Sequence, residues 1–455
     1  MNECRILSPL GMLGYGFPME SFEAGLARHP HLIGADAGST DGGPHKLGAG
    51  VGIVSRAATK KDLGAIVRGG LAVGAPVVIG SAGGSGAAAH MAWTRAILEE
   101  ILREHGGRVC VAYVHAELDK EFLKAELAAG RIRPLRNVPV LTDKAIDSAT
   151  SVVGQMGAEP IIRALEAGAQ IVVAGRAYDP ACFAAFAIWK GFPAGPAWHL
   201  GKILECGALC AVPGSAGDAM WGVLRHDGFT VEPLNATRVC TETSVAAHTL
   251  YEKSHPYLLP GPGGTLDLSQ CTFRQVDDRV VEVKGSRFQA SRPYTVKLEG
   301  AELVAYRTVL VCGVRDPVLI AGLEAAEAAV VTRTREYFEH IAPADYQILF
   351  HHYGVDAVMG SSEPLRGTGL PHEVGLVMEV VAVTQEMADT ICAFARATLM
   401  HHHYTGRKAT AGNLALPFAP SDVPLGPVYR FNVYHLLEVE NPCAIFPVEL
   451  VEYGA

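Results

Sequence analysis

The chain of 455 residues is 49% hydrophobic and only 19% charged, with a formal net charge of −9. That composition excludes a disordered chain, and without a basic stripe to offset phosphate repulsion it excludes a nucleic-acid partner. No apolar run of about 18 residues is long enough to span a membrane, and the N-terminus lacks the basic flank and apolar core of a secretory leader.

Ten cysteines are scattered without a C-x-x-C pair, as expected for buried thiols in a reducing cytoplasm. The length allows two or three domains. Apolar composition and edge-rich sheets favour a homo-oligomer.

In chain order, "CRILSPL" reads as a strand, "MESFEAGLARHP" as a helix closed by proline, and "HLIGAD" as a second strand. "TKKDLGAIVRGGLAVG" is a helix and "APVVIGSAG" a strand. A long helix follows, with Ile97, Leu98, Ile101 and Leu102 as its apolar stripe and Gly106 as its stop. "RVCVAYVHAEL" and "AQIVVAGRAYD" are further strands, separated by the helices "DKEFLKAELAAG" and "AEPIIRALEAG". Alternating β and α units with apolar strands predict a mostly parallel sheet with helices on both faces, over residues 1–225.

Beyond residue 225 the pattern changes. Runs such as "RVVEVKGSRF", "VAYRTVLVCGV" and "VGLVMEVVAV" alternate as strands, with helices expected over 317–339 and 385–400, the second capped by Thr384. Residues 226–455 therefore read as an α+β domain. The fold class is α/β with a C-terminal α+β domain.

In open α/β sheets ligands bind outside the carboxyl ends of the strands, and the polar residues collect there. "IGADAGSTDGGPHKLG" (33–48) places Asp36, Ser39, Thr40 and Asp41 directly after a strand. Asp36 and Asp41 are candidates for a general base or for ligands of a divalent metal ion, and Ser39 and Thr40 supply hydroxyls. D-x-G-x-T is also the phosphate loop of actin-like ATPases and kinases, although a complete strand and helix precede it here and Gly42-Gly43-Pro44 interrupts the chain. An Asx turn, with both acids capping local amides, is the plainer alternative.

"VVIGSAGGSGAAAH" (77–90) runs from a strand through Ser81, Gly83, Gly84, Ser85 and Gly86 into the long helix. Free amides at a helix N-terminus make an anion seat for a carboxylate, a phosphate or a CoA group. Close helix packing also favours glycine. "VVAGRAYDPACF" offers Arg176 as a carboxylate clamp or an ion-pair partner, with Asp179-Pro180 reading as an N-cap and first helical position. "KILECGALC" holds Glu205, whose apolar setting suits a general acid, beside Cys206, which has no local base.

The three consecutive histidines at 401–403 cannot all reach one metal, because adjacent helical positions diverge by roughly 100°; one catalytic or core histidine is expected from that cluster and one from His351-His352, with a two-site metal contribution as the alternative. The loop "YTGRKATAGNLA" supplies Arg407, Lys408, Thr410 and Asn413 as a basic contribution from the second half.

Several of these stretches, with "GMLGYGFPMESFEAGL", "KILECG", "AAHTLYEKSHPYLLPGPGGTLDL", "GRKATAGNLALPFAPSD" and "VYHLLEVENPCAIFPVELVE", resemble the acyclic terpene utilisation AtuA family. The resemblance runs from residue 5 nearly to the C-terminus. It implies a place in the breakdown of acyclic terpenes and related branched acids, and a small companion domain or subunit as partner. The pathway context favours a lyase or hydratase acting on a carboxylate or acyl-CoA. A non-catalytic subunit of a carboxylase or lyase complex is the alternative of different class.

Overall fold

The computed structural model describes residues 1–251, 255–408 and 411–454. Its chain divides into two compact units, Met1–Glu302 with Arg430–Ala455, and Leu303–Tyr429.

The first unit is built on a mixed sheet of ten strands among the described residues. Its centre is parallel, in the spatial order Cys4–Ser8, Leu32–Asp36, Val77–Gly80, Ile171–Ala174, Val109–Val114. These strands are short and nearly all buried, as apolar β-branched runs covered on both faces must be. Helices Arg56–Val73 and Ala88–His105 pack with one buried cluster that includes Ile33, Ile79, Ile97 and Ile101. Helices Glu159–Glu166, Ala181–Trp189 and Ala194–Leu204 belong to the other.

Local rules set the helix ends. Ser55 accepts from the Ala58 amide, and Gly74 closes the same helix in the left-handed region at φ 69°. Asp119 caps Lys120–Ala128, and Gly106 ends Ala88–His105 at φ 71°. The expected strands and helices of the first half stand where they were read.

The flanks of the sheet are antiparallel and come from farther along the chain. Met220–Arg225 pairs with Cys4–Ser8, followed outward by Gly228–Pro233, Val280–Lys284 and Thr272–Asp277. At the opposite edge Val448–Tyr453 pairs with Val109–Val114. The first part of the long strand Tyr294–Val314 also belongs to this unit, where it pairs with Ala149–Gln155.

The second unit is α+β. Residues 306–314 of that long strand pair antiparallel with Val374–Ala382, which pairs in turn with Tyr346–Tyr353. Gln385–His401, capped by Thr384 as expected, and Leu323–Tyr337 close its core around Leu310, Leu376, Met378 and Ile391. The helix expected over 317–339 is two helices, Pro317–Ala321 and Leu323–Tyr337. The break falls at Gly322, whose φ −109° and ψ 15° lie outside the helical basin. Among the described residues no helix is long and apolar enough to cross a membrane.

Candidate functional site

Three central strands deliver polar side chains to the same carboxyl edge. Asp36 ends Leu32–Asp36, Ser81 follows Val77–Gly80, and Arg176 follows Ile171–Ala174. All three are buried. Arg176 is held from several sides. Its Nε donates to Glu299 Oε2 at 2.8 Å, and its Nη1 donates to Asp179 Oδ1 at 2.9 Å, Ser81 Oγ at 3.1 Å and the Ala177 carbonyl at 2.7 Å.

Glu299 is 0% exposed and has two further partners. The Thr40 hydroxyl donates to its Oε1 at 2.7 Å, and Lys297 Nζ lies 2.6 Å from the same oxygen. Burial alone would raise the Glu299 carboxyl, but Arg176 and Lys297 hold it down at about 2. Glu299 thus ties the strand-end arginine to the loop that follows Asp36. Sequence reading missed it. The available signal was a lysine and a glutamate two residues apart in one strand, flanked by Val296, Leu298 and Gly300, which puts both on one face.

Asp36 behaves in the opposite way. Its Oδ2 accepts from the Gly38 amide at 3.0 Å, while Oδ1 is buried and has no hydrogen-bond partner among the described residues. Burial, with Asp179 and Glu205 nearby, pushes its carboxyl well above the usual range against the weaker pull of Arg176. A buried carboxyl pushed toward its neutral form, with one oxygen unused, is suited to donating or accepting a proton.

The glycine-rich loop wraps this acid. An added Cβ on Gly38 would come within 3.0 Å of Gly84 Cα, which places the two loops in contact. Ser81 adopts φ 48°, an unfavourable conformation for a residue with a side chain and of the kind that clusters at functional sites. Within the loop, the Gly84 amide donates to the Ser81 carbonyl at 2.7 Å and the Gly86 amide to the Ala82 carbonyl at 3.0 Å. Those two bonds close turns. The hydroxyl of Ser85 is buried and without a partner among the described residues.

Packing also explains part of the glycine content. A Cβ on Gly80 would sit 2.1 Å from Cys182 Sγ, and one on Gly86 would sit 1.9 Å from the Arg176 backbone nitrogen.

A cavity of about 380 Å³ is lined by Gly86, Ala88, Met91, His115, Glu117 and Lys120 among others; of the expected site residues only Gly86 lines it, and Asp36, Ser81, Ser85 and Arg176 do not. Glu117 Oε2 accepts from the Ala88 amide at the first turn of the long helix. Another cavity, of about 550 Å³, lies at the strand starts around Arg5, His31, Pro76 and Gln170 and holds none of the expected site residues.

The remaining candidates separate by environment. Ser39 and Asp41 bond each other in a local turn, the hydroxyl donating to Asp41 Oδ2 at 2.8 Å and accepting from the Asp41 amide at 3.1 Å, with Asp41 exposed. Glu205 is buried and ion-paired with Lys202 one helical turn back. Asp179 does not act as the helix N-cap that Asp179-Pro180 suggests. Pro180 holds that place, and the Asp179 carboxylate turns to Arg176, a stronger partner than a backbone amide.

In the second unit, Arg407 Nη2 donates to the Ala411 carbonyl, Lys408 is exposed, and Asn413 Nδ2 donates to the carbonyls of Leu399 and His402 at the end of a helix. Thr410 lies outside the described residues. His351 and His352 turn to opposite faces of their strand, toward Glu379 and Glu327. Among the described residues no three His, Cys, Asp or Glu side chains are grouped as metal ligands.

Residues 72–418, most of the chain, match the model of a family described as acyclic terpene utilisation family protein AtuA. This chain belongs to the AtuA family. Neither a search of curated proteins nor one of solved structures finds a match. The AtuA match takes in the glycine-rich loop, Arg176, Glu205 and Glu299, and begins after Asp36.

Proposed function

We propose that this AtuA-family chain is an enzyme of small-molecule catabolism, a lyase or hydratase acting on a small or branched carboxylate or its acyl-CoA. The observation that carries the reading is Asp36: a buried carboxyl with one oxygen unpartnered, at the carboxyl edge of a parallel sheet. In this reading Asp36 gives or takes the proton when water or a carbon fragment is added or removed. Arg176 and Glu299 keep the acid's surroundings rigid, and the Ser85 hydroxyl stabilises the oxygen on which charge develops; the Gly84 and Gly86 amides, spent on turns within the loop, do not.

An actin-like ATPase or kinase would use D-x-G-x-T at the bend of an antiparallel hairpin. Here Leu32–Asp36 lies between two parallel neighbours, Cys4–Ser8 and Val77–Gly80, and Thr40 donates to Glu299. Those observations favour the acid–base reading.

The test is solvent isotope exchange. The purified chain is incubated in D₂O with short branched acids and their thioesters, and NMR follows hydration, cleavage and deuterium uptake beside the carbonyl. Wild type is expected to incorporate deuterium, and Asp36→Asn to lose at least about a hundredfold in rate while keeping its fold. Equal rates in the two proteins would overturn the role of Asp36. Activity that appears only with a co-purified partner would favour the non-catalytic subunit.

A further inference from the structure

We infer that the group on which this site acts is electrically neutral, the carbonyl of a thioester, ester or ketone and not a free carboxylate. The inference rests on the Asp36 reading and narrows its substrate.

Its basis is the pairing of charges around the acid. Arg176 meets Glu299 at 2.8 Å and Asp179 at 2.9 Å, Lys297 meets Glu299 at 2.6 Å, and Lys202 meets Glu205. Three cations thus face three anions, and each cation already has a carboxylate in contact. With its proton on, Asp36 leaves the cluster neutral. With its proton off, the cluster is negative. Neither state provides a counter-charge for an incoming carboxylate, and a buried charge without a partner is heavily penalised.

A neutral carbonyl meets no such penalty. The unpartnered Oδ1 of Asp36 and the unpartnered hydroxyl of Ser85 are both buried at this edge, and both suit an uncharged oxygen. A carboxylic acid kept neutral by its surroundings can donate a hydrogen bond to a carbonyl. Arg176, the sequence's candidate for a carboxylate clamp, has no such vacancy on its Nε or Nη1.

The test compares dimethylacrylic acid with its N-acetylcysteamine thioester by calorimetric titration of the full chain at about pH 8, where the free acid is ionised. The thioester is expected to bind at least about tenfold more tightly. The acid should gain affinity about tenfold for each pH unit lowered toward its own pKa, because only its protonated form fits. An acid that binds as tightly as the thioester, with no such pH dependence, overturns the inference while leaving the Asp36 reading in place.

Asp36→Asn separates the two claims. It removes the titratable proton at nearly constant size, so thioester affinity should stay within about threefold of wild type while turnover is lost. Full turnover by Asp36→Asn, or no binding of either ligand, removes the acyl reading and the inference with it.

Discussion

At the scale of single residues the first unit contains two carboxyls with opposite fates. Glu299 and Asp36 are both buried, yet one is held ionised by Arg176 and Lys297 and the other is driven toward its neutral form. The consequences for stability have opposite signs. Glu299 titrates below its unfolded value, so its contribution is full above about pH 4.3 and is lost as pH falls toward about 2, amounting to about 3 kcal/mol at neutrality. Glu299→Gln should therefore destabilise the protein by about 3–5 kcal/mol in urea unfolding at neutral pH. That deficit should shrink markedly near pH 3, and a deficit independent of pH would contradict the ionised assignment. Asp36 titrates above its unfolded value, so its stabilising effect is present below about pH 4 and is lost as pH rises through its folded value. Asp36→Asn should gain stability relative to wild type as pH rises from about 4 to neutrality, seen as a rising difference in melting temperature. A falling difference would mean that Asp36 is ionised in the native state.

The glycine-rich loop is the element on which the proposed site turns. Gly84→Ala cannot separate ligand binding from packing, because Gly84 has φ +105° and an added Cβ would lie 2.9 Å from Ile53. Any substitution there is strained whatever the loop binds. Gly86 is more constrained still, since its Cβ would meet the Arg176 backbone nitrogen at 1.9 Å. Gly86→Ala should cost more than about 4 kcal/mol or prevent folding, read as loss of the cooperative thermal transition. Ser85→Ala is the informative change in this loop. It removes a buried hydroxyl that has no partner, so stability should hold or rise by about 1 kcal/mol while turnover falls at least about tenfold. Unaltered turnover would remove Ser85 from the site.

At the scale of the whole molecule, the first unit depends on chain segments far apart in sequence. Its sheet is closed at one edge by Val448–Tyr453, and Phe446 is fully buried, with Gly154 leaving room for its ring. Deleting residues 442–455 would strip Val109–Val114 of its antiparallel neighbour and open a cavity where Phe446 packs. Such a truncation should lower the melting temperature by several degrees or leave the protein insoluble, since an uncovered apolar strand edge is an aggregation template. A soluble truncated chain with an unchanged melting temperature would show that the C-terminal strand contributes little.

What the sequence determined by itself was local. Strands such as "VVIG" and "IVVA" declare themselves by β-branched content, helices by their caps and apolar stripes, and the candidate site by where those strands end. Asp36, Ser81, Arg176 and the glycine-rich loop were legible for that reason. The ionisation of Asp36, the pairing of Arg176 and the presence of Glu299 were not. Thr40 and Glu299 lie 259 residues apart in the chain and bond because a strand from one segment brings a lysine and a glutamate to the other's loop. Helix and strand signals extend over a few residues, whereas the charge state of a buried acid depends on every group folding brings near it. The tertiary structure alone decided that, of these two carboxyls, Glu299 is held ionised and Asp36 is pushed toward its neutral form.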